Sequence, residues 1–241
     1  MLELTPNKRR FINDELALDD WKQIEPYYEE LEQRSLNSVR DLEQWLRDRS
    51  ELESALAEEL GWRYIHMSRD TASEEAGAAY KKMIAEVLPM VAPKEHALNL
   101  KVTQSPFFEE LDHQTYRIYT RGIREQIELF REENIPLQTE LAELAQKYGA
   151  ITGAMDIDWQ GESITLQQAN VLLRENDRSL REDVYRRVQM VRLDRKDELN
   201  TLFDELIAKR QQMAQNADFA NYRDFKFREL GRFDYTVDDC F

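Results

Sequence analysis

The sequence predicts a mainly α-helical protein with one β-hairpin, on the strength of three observations. The 241 residues include only seven glycines and six prolines, and 34% of them are charged. Glycine and proline are thus about half as frequent as in an average globular protein, so few residues interrupt helices. Apolar residues recur every three or four positions along most of the chain, which is the period of an amphipathic helix. A chain of this length can bury one large core or two small ones.

Two helices are predicted between residues 19 and 60. The second has apolar residues at helical spacing, namely Val39, Leu42, Leu46, Leu52, Leu56 and Leu60. Ser38 is placed to cap its first turn, because a serine hydroxyl accepts a hydrogen bond from a free backbone N–H. Gly61 is expected to end the helix, because glycine adopts the left-handed conformation without strain.

The next helix is expected to begin after Ser73. Glu74 and Glu75 then occupy its first turn, where acidic side chains complement the helix dipole. Pro89 and Pro93 are expected to interrupt it.

A long amphipathic helix is predicted over residues 114–131 from the spacing of Tyr116, Ile123 and Phe130. It must end before Pro136, because the residue preceding a proline avoids the α region. A further helix is expected to begin at Pro136 and to end at Gly149.

One β-hairpin is predicted at about residues 150–166. From Ile151 to Trp159 apolar and polar residues alternate, which is the period of a strand. Gln160 and Gly161 then supply the residue types of a tight turn.

Gly149 and Gly153 allow two interpretations. The structural one makes Gly149 a helix stop and Gly153 a strand residue that a neighbour approaches closely. The functional one is a strand edge that hydrogen-bonds an extended peptide. Both stay open at this point.

Helical spacing resumes after the hairpin. Thr165 or Ser163 could cap a helix through Leu173, and Ser179 could cap another through Val188. A last long helix, ending near Asn216, has an apolar stripe formed by Leu199, Leu202, Phe203, Leu206, Ile207 and Met213.

The last residues have the form of a helix start. Thr236 and Asp239 have the spacing of a capping box, in which each side chain bonds the other residue's backbone. Only Cys240 and Phe241 follow, too few to form the helix that the box announces. We therefore expect that the chain is cut short.

Composition excludes several classes of function. The net charge of −15 and the pI near 4.8 repel nucleic-acid phosphates and anionic lipids, which bind clustered lysines and arginines. No apolar run approaches the roughly 18 residues that span a bilayer. The single cysteine, Cys240, excludes a disulfide framework and suits a reducing compartment. We therefore expect a cytoplasmic protein that binds neither nucleic acid nor membrane.

Motifs of enzyme active sites are absent from the sequence. His66, His96 and His113 are not spaced as in HExxH, in which two histidines one helical turn apart bind zinc. Glu110 and His113 form one ExxH motif, whereas a di-iron bundle needs two. There is no GxSxG elbow and no glycine-rich phosphate loop. No catalytic or metal-ligating residue is therefore assigned, and substrate-binding residues stay unknown.

Other clusters are most simply structural. Trp21, Tyr27 and Tyr28 on an early helix are more typical of a core than of a cofactor site. The arginines Arg178, Arg181, Arg186 and Arg187 stand three or four residues from acidic ones, as in ion pairs on a helix surface.

Several stretches, taken in order, resemble the oligoendopeptidase F and thimet oligopeptidase family of zinc metallopeptidases. The later ones are FREENIPLQTELAELAQKYGAITGAM, GESITLQQANVLL with NDRSLRE, and LNTLFDELIAKRQQMAQNADFANYRDFKFRELGRFDYTVDDC. The earlier ones are FINDELALDDWKQIEPYYEELEQR, LEQWLRDRSELESALAEELGWRYIHMSRDT and LNLK. The resemblance covers nearly the whole chain. Asp218 departs from it, since the family pattern has glycine there, which makes the turn before Phe219 less permissive.

The resemblance implies a multi-helix, channel-forming peptidase fold, of which this chain is an incomplete part. Residues 1–110 would be the amino-terminal helical region, and residues 111–241 the first part of an incomplete catalytic domain that includes the hairpin. The family's channel between two helical halves admits short peptides. Its HExxH helix and a third zinc ligand lie beyond the stretches matched here, so no zinc ligand or catalytic base is carried over. Zinc is implied for the complete enzyme and none for this chain alone.

The leading hypothesis is the amino-terminal segment of a peptide-hydrolysing zinc metallo-oligopeptidase, forming one wall of its channel and inactive by itself. Whether the chain acts as an enzyme stays open. One alternative is a noncatalytic helical module that binds peptides or a partner. Another is a helical enzyme with a diffuse carboxylate site, which alanine at Glu110 and His113 would test.

A further alternative is a split peptidase, completed by a separate chain that carries HExxH. That hypothesis predicts an exposed apolar surface for the partner to cover. The aromatic residues expected there are Phe225, Phe227, Phe233 and Tyr235.

Overall fold

The computed structural model describes residues 9–241 and confirms a mainly α-helical fold with one hairpin. The first six helices are α1 (Trp21–Gln33), α2 (Val39–Arg69), α3 (Glu74–Lys82), α4 (Leu88–Gln104), α5 (His113–Leu129) and α6 (Asn134–Gly153). The hairpin strands are β1 (Asp156–Trp159) and β2 (Glu162–Thr165). The last four helices are α7 (Leu166–Leu172), α8 (Arg178–Asp194), α9 (Lys196–Asn216) and α10 (Tyr222–Glu229).

Side-chain caps begin most of these helices, as the sequence predicts. The hydroxyl of Ser38 accepts from the N–H of Asp41, and that of Ser73 accepts from Ala76. Thr165, not Ser163, caps α7. The prediction that Ser179 caps α8 is wrong. Asp177, two residues earlier, caps that helix, and its carboxylate accepts from the N–H of Ser179.

Gly61 does not end the second helix, because α2 continues through Arg69. Glycine inside a helix costs only about 0.5–1 kcal/mol relative to alanine. The added turns bury Met67, which is 6% exposed, and apolar burial of that size outweighs the cost.

The two prolines do not stop the third helix either. α3 joins α4 through a π-helical segment, Met83–Val87, and Pro89 lies in the first turn of α4. Pro93 lies inside α4. A π-helical segment accommodates proline because it shifts the local hydrogen bonds away from the missing N–H.

The π-helical segment leaves one backbone acceptor without a helical donor. The carbonyl of Ile84 would accept from Leu88 in an α-helix, but Leu88 donates to the first residue of the segment. Pro89, the next possible donor, has no N–H. The hydroxyl of Thr139 in α6 donates to this carbonyl at 3.0 Å.

The hairpin is confirmed but is shorter than residues 150–166. Its register pairs Asp156 with Thr165 and Trp159 with Glu162. Gln160 and Gly161 both have positive φ, at 58° and 86°, as a type I′ turn requires.

Residues 150–153 belong to α6, so Gly149 does not end that helix and Gly153 is not in a strand. The alternation that predicts a strand also places Ile151 and Met155 four residues apart, which suits a helix face equally well. The hydroxyl of Thr152 donates to the carbonyl of Tyr148 at 2.8 Å and so satisfies one acceptor near the helix end.

Three apolar clusters hold the chain together. The first is formed by residues between Ile12 and Ile123, with Tyr28 and Trp45 fully buried. The indole N–H of Trp45 donates to the carbonyl of Leu31 at 2.9 Å. The second cluster joins α6, α9 and α10, and the third lies between the hairpin, α7 and α8.

The last residues form the predicted capping box. The N–H of Thr236 donates to the carboxylate of Asp239 at 2.8 Å, and the N–H of Asp239 donates to the hydroxyl of Thr236 at 3.3 Å. One 3-10 turn, Asp238–Cys240, follows. Among the helices of residues 9–241, none combines the length and the apolar character that crossing a bilayer needs.

Candidate functional site

The structure keeps the residues of the sequence-level metal motifs apart. His66 lies in α2, His96 in α4, and His113 is the first residue of α5. Glu110 and His113 are both exposed. Within residues 9–241 no three His, Cys, Asp or Glu side chains come together as a group that could hold a metal ion.

His96 packs as an aromatic side chain. Its ring is stacked on that of Phe130, with centroids 3.9 Å apart and an interplanar angle of 11°. Burial lowers the pKa of His96, although the charge of Glu132 opposes the shift. The ring is therefore held in its neutral form, which suits stacking.

A buried polar network crosses the first core. Arg49 is 4% exposed, and its Nε donates to Glu53 at 2.6 Å. A second guanidinium nitrogen donates to Asn99 at 2.7 Å, and Asn99 in turn donates to Gln126 at 3.1 Å. The buried charge of Arg49 is thus paired with a carboxylate and hydrogen-bonded through two of its three nitrogens, whereas Nη1 has no partner among residues 9–241.

Glu95 and Tyr28 lie beside this network. Burial, reinforced by the charge of Glu53, raises the pKa of Glu95 to about 7. Burial, followed by the charges of Glu95 and Glu53, raises the pKa of Tyr28. Glu95 therefore titrates near neutral pH inside the helical bundle.

Glu95 also borders a cavity of about 430 Å³ between α4, α5, α6 and α10. The segment that follows α10 lies against it. Arg228 forms ion pairs with Glu125 and Glu128 of α5. Arg121 lies over the ring of Phe233, 3.9 Å from its centroid. The charged groups around this cavity are therefore mostly paired within the protein.

A larger cavity of about 750 Å³ lies where the ends of α2 and α6 meet α3, α7, α8 and the start of α9. We call it the tyrosine groove. Its main side chains are those of Tyr64, Tyr80, Tyr148, Met67, Met155, Gln146, Gln167, Asn170 and Arg192. Tyr64 and Tyr148 are each 54% exposed. The groove therefore offers aromatic surface to a ligand.

A glycine fixes one wall of the tyrosine groove. A Cβ atom on Gly153 would lie 2.4 Å from Oγ1 of Thr71, a distance that real side chains do not allow. The end of α6 consequently packs directly on the turn between α2 and α3. The predicted close approach at Gly153 is confirmed, although it occurs in a helix and not in a strand.

Among the lining residues that the structure describes, Arg192 alone has a charged side chain at neutral pH. It lies in the last turn of α8 and is exposed. Among residues 9–241 no acidic group lies within ion-pair distance of it, and its side chain makes no hydrogen bond. Sequence reasoning missed Arg192, because nothing in the arginine-rich helix distinguishes it from its paired neighbours.

An exposed apolar face lies on α8 and α9. It comprises Tyr185, Met190, Leu193, Phe203 and Ile207, each between 48% and 64% exposed. The predicted stripe of α9 is thus buried only in part.

The aromatic residues expected on a surface for a split-peptidase partner differ in exposure. Phe225 is 3% exposed and belongs to the second core, whereas Tyr235 is 44% exposed. Sequence periodicity does not distinguish a face packed within the chain from one left uncovered.

Residues 13–130 match the family model of the Peptidase M3 N-terminal domain. The comparison with curated proteins gives no match.

Solved structures show the same fold over almost the whole chain. A crystal structure described as an oligoendopeptidase F has a TM-score of 0.85 at 21% identity, covering 96% of this chain and 41% of that chain. One described as an oligoendopeptidase F from Bacillus anthracis has a TM-score of 0.85 at 19% identity, covering 94% and 42%. PZ peptidase A with an inhibitor has a TM-score of 0.85 at 17% identity, covering 94% and 40%.

This chain thus spans about two fifths of the length of each of these three chains. The resemblance to oligoendopeptidase F that the sequence suggests is confirmed at the level of the fold. Residues 13–130 are thus similar to the N-terminal domain of M3 peptidases, and the chain has the fold of part of oligoendopeptidase F.

Proposed function

We propose that this chain is the amino-terminal part of a zinc metallo-oligopeptidase that hydrolyses short peptides, and that it supplies one wall of the substrate channel. The observation that carries the proposal is the match of residues 13–130 to an M3 peptidase N-terminal domain, within a fold shared over 96% of the chain with an oligoendopeptidase F. By its composition and its single cysteine, the protein would act in the cytoplasm.

The donor set of the described residues does not fit a zinc site. The three histidines lie on three different helices, and the ring of His96 is committed to stacking on Phe130. The HExxH sequence is absent. We therefore assign no catalytic step to this chain, and hydrolysis requires a polypeptide segment that carries HExxH.

The exposed apolar face on α8 and α9 supports association with such a segment. Five large apolar side chains that are about half or more exposed would be covered by a tightly packed neighbour, and burying each would contribute about 1 kcal/mol or more. The segment could belong to the same polypeptide or to a separate chain, as in the split-peptidase alternative.

The core clusters bear on the domain division. The first cluster continues through Leu111 and Ile123, so α5 packs with the amino-terminal helices. The division at residues 110 and 111 stays a prediction, which limited proteolysis of the purified chain would locate.

The first experiment is to purify the 241-residue chain and to measure zinc content and cleavage of a quenched fluorescent peptide. We expect neither stoichiometric zinc nor cleavage. Adding a polypeptide that carries the HExxH region encoded by the same genome should restore zinc-dependent cleavage. Stoichiometric zinc and cleavage by the chain alone would overturn the proposal. A genome without an HExxH region, or no cleavage when that region is added, would favour a noncatalytic module.

A variant of the exposed face sharpens the test. Phe203→Asp on the face should weaken association with the HExxH-bearing polypeptide at least tenfold, because a carboxylate cannot be buried there without a partner. Ile118→Asp on α5 is the matched control, since Ile118 is 58% exposed and lies outside the face. Equal effects of the two substitutions would exclude the face as the contact.

A further inference from the structure

The tyrosine groove has an unusual charge pattern for this protein. The chain has a net charge of −15, yet the groove has no acidic lining residue and one cation, Arg192. An anionic ligand would be repelled over most of the surface and attracted at this point. The Arg192 guanidinium has no acidic partner within residues 9–241, so a ligand would not have to displace one.

We propose that the tyrosine groove binds the carboxyl-terminal end of an extended peptide, with Arg192 pairing to the terminal carboxylate. This rests on the proposed function only in taking short peptides as the ligand class. A guanidinium presents two parallel N–H donors that match the two oxygens of a carboxylate.

The amide side chains of the groove suit a peptide backbone. Gln146, Gln167 and Asn170 line it, and each amide has both donors and an acceptor. Gln146 makes one long hydrogen bond, 3.5 Å to the carbonyl of Gly77. The amides of Gln167 and Asn170 make none to other described residues, so both are available to backbone N–H and C=O groups.

The aromatic and sulfur side chains suit the peptide's apolar side chains. Tyr64 and Tyr80 stand edge to face with centroids 5.9 Å apart. Met67 and Met155 are 6% and 5% exposed and also line the groove. Methionine adapts its shape to different partners, so the groove would accept side chains of varied form.

A volume of about 750 Å³ is within the usual range for small-ligand sites. It would hold a few residues of peptide and not a folded domain. Because the carboxylate is fixed at Arg192 on α8, the rest of the peptide would run along the tyrosines toward α2 and α6. The groove would therefore distinguish the end of a peptide from its interior.

The test is direct binding, measured by fluorescence anisotropy with the full chain. The probe is a rhodamine-labelled pentapeptide with a free terminal carboxylate, compared with the same peptide carrying a terminal amide. We expect the acid to bind about two- to fivefold more tightly than the amide, the range for an exposed charged pair. Equal affinity of the two peptides would overturn the proposal.

Arg192→Gln should remove the difference between acid and amide peptides while leaving amide binding nearly unchanged. Arg117→Gln on α5 is the matched control, because Arg117 is exposed and outside the groove. Circular dichroism would establish that both variants are folded. A difference that persists in Arg192→Gln, or that disappears in Arg117→Gln, would assign the effect to general charge.

Free acetate in excess distinguishes a peptide site from a simple anion site. Acetate should compete only weakly, since it makes none of the amide and aromatic contacts. Competition by acetate as strong as that by unlabelled peptide would overturn the peptide assignment. Because no zinc and no cleavage enter the measurement, failure here leaves the proposed function intact, and failure of the cleavage test leaves this result intact.

Discussion

Thr139 of α6 donates its hydroxyl hydrogen to the carbonyl of Ile84, 3.0 Å away in the π-helical segment between α3 and α4. The bond joins the amino-terminal helices to the helix that precedes the hairpin. It exists because Pro89 cannot supply the N–H that the segment lacks.

Thr139→Val should lower the free energy of unfolding by about 1–2 kcal/mol, because it leaves a carbonyl without a donor. Thr139→Ser keeps the hydroxyl and should cost less. Pro89→Ala returns an N–H to the segment, so Thr139→Val should cost less in that background. Urea unfolding of the four variants measures the coupling, and strictly additive effects would contradict this account.

Glu95 should make the protein less stable as the pH rises. Its folded-state pKa of about 7 lies above the ordinary glutamate value of 4.5, so folding favours the protonated form. The contribution is fully present below pH 4.5 and is lost as the pH rises through about 7. Glu95→Gln should keep that stability at pH 8, where the gain would be up to about 3 kcal/mol. A wild-type stability curve that runs parallel to that of the variant from pH 5 to 8 would contradict the prediction.

Glu51 should have the opposite pH dependence. Its carboxylate accepts the backbone N–H groups of Arg10, Phe11 and Ile12 at 2.8–3.0 Å. Partial burial acts to raise the pKa of Glu51, but these bonds outweigh it and the pKa is lowered. The stability is present above the unfolded-state pKa and is lost as the pH falls through the lower, folded-state value.

Glu51→Gln should speed amide hydrogen exchange at Phe11 and Ile12 by about tenfold or more, since a charged acceptor is worth about 1.5–3 kcal/mol. Glu58→Gln, on the exposed side of the same helix, should leave exchange there unchanged. Nuclear magnetic resonance measures both exchange rates. The same protection in Glu51→Gln as in the wild type would contradict this role of the Glu51 carboxylate.

Two glycines of α6 should respond oppositely to alanine. Gly153→Ala places a methyl group 2.4 Å from the hydroxyl of Thr71 and should destabilise by about 1–3 kcal/mol. Thr71→Ala should restore part of the loss. Gly149→Ala meets nothing within 4 Å and should stabilise by about 0.5–1 kcal/mol. Thermal unfolding measures these changes in stability. A loss of stability at both positions would show that α6 itself, and not the contact of Gly153 with Thr71, is sensitive to alanine.

The local chemistry of this sequence predicts much of the fold. Ser38 and Ser73 cap their helices because each hydroxyl needs only a backbone N–H in the first turn of its own helix as hydrogen-bond donor. The positive φ values at Gln160 and Gly161 follow equally from turn chemistry.

The places where prediction fails depend on distant residues. Gly61 and Gly149 stay helical, and the residues beyond them meet distant parts of the chain: Met67 is buried and Gly153 packs on Thr71. That Arg192 lines the groove, and that Thr71 meets Gly153, depend on contacts between residues far apart in sequence. The tyrosine groove, assembled from six helices, has no sequence signature for the same reason.

The first core has a consequence for how the protein is made. All of its buried members lie between Ile12 and Ile123, in one uninterrupted stretch of chain. Its contacts can therefore form while later residues are still on the ribosome, since domains fold as units in the order of synthesis. The helices with an uncovered apolar face emerge later, onto an already folded base. Synthesis itself thus delays the exposure of the surface most prone to aggregate.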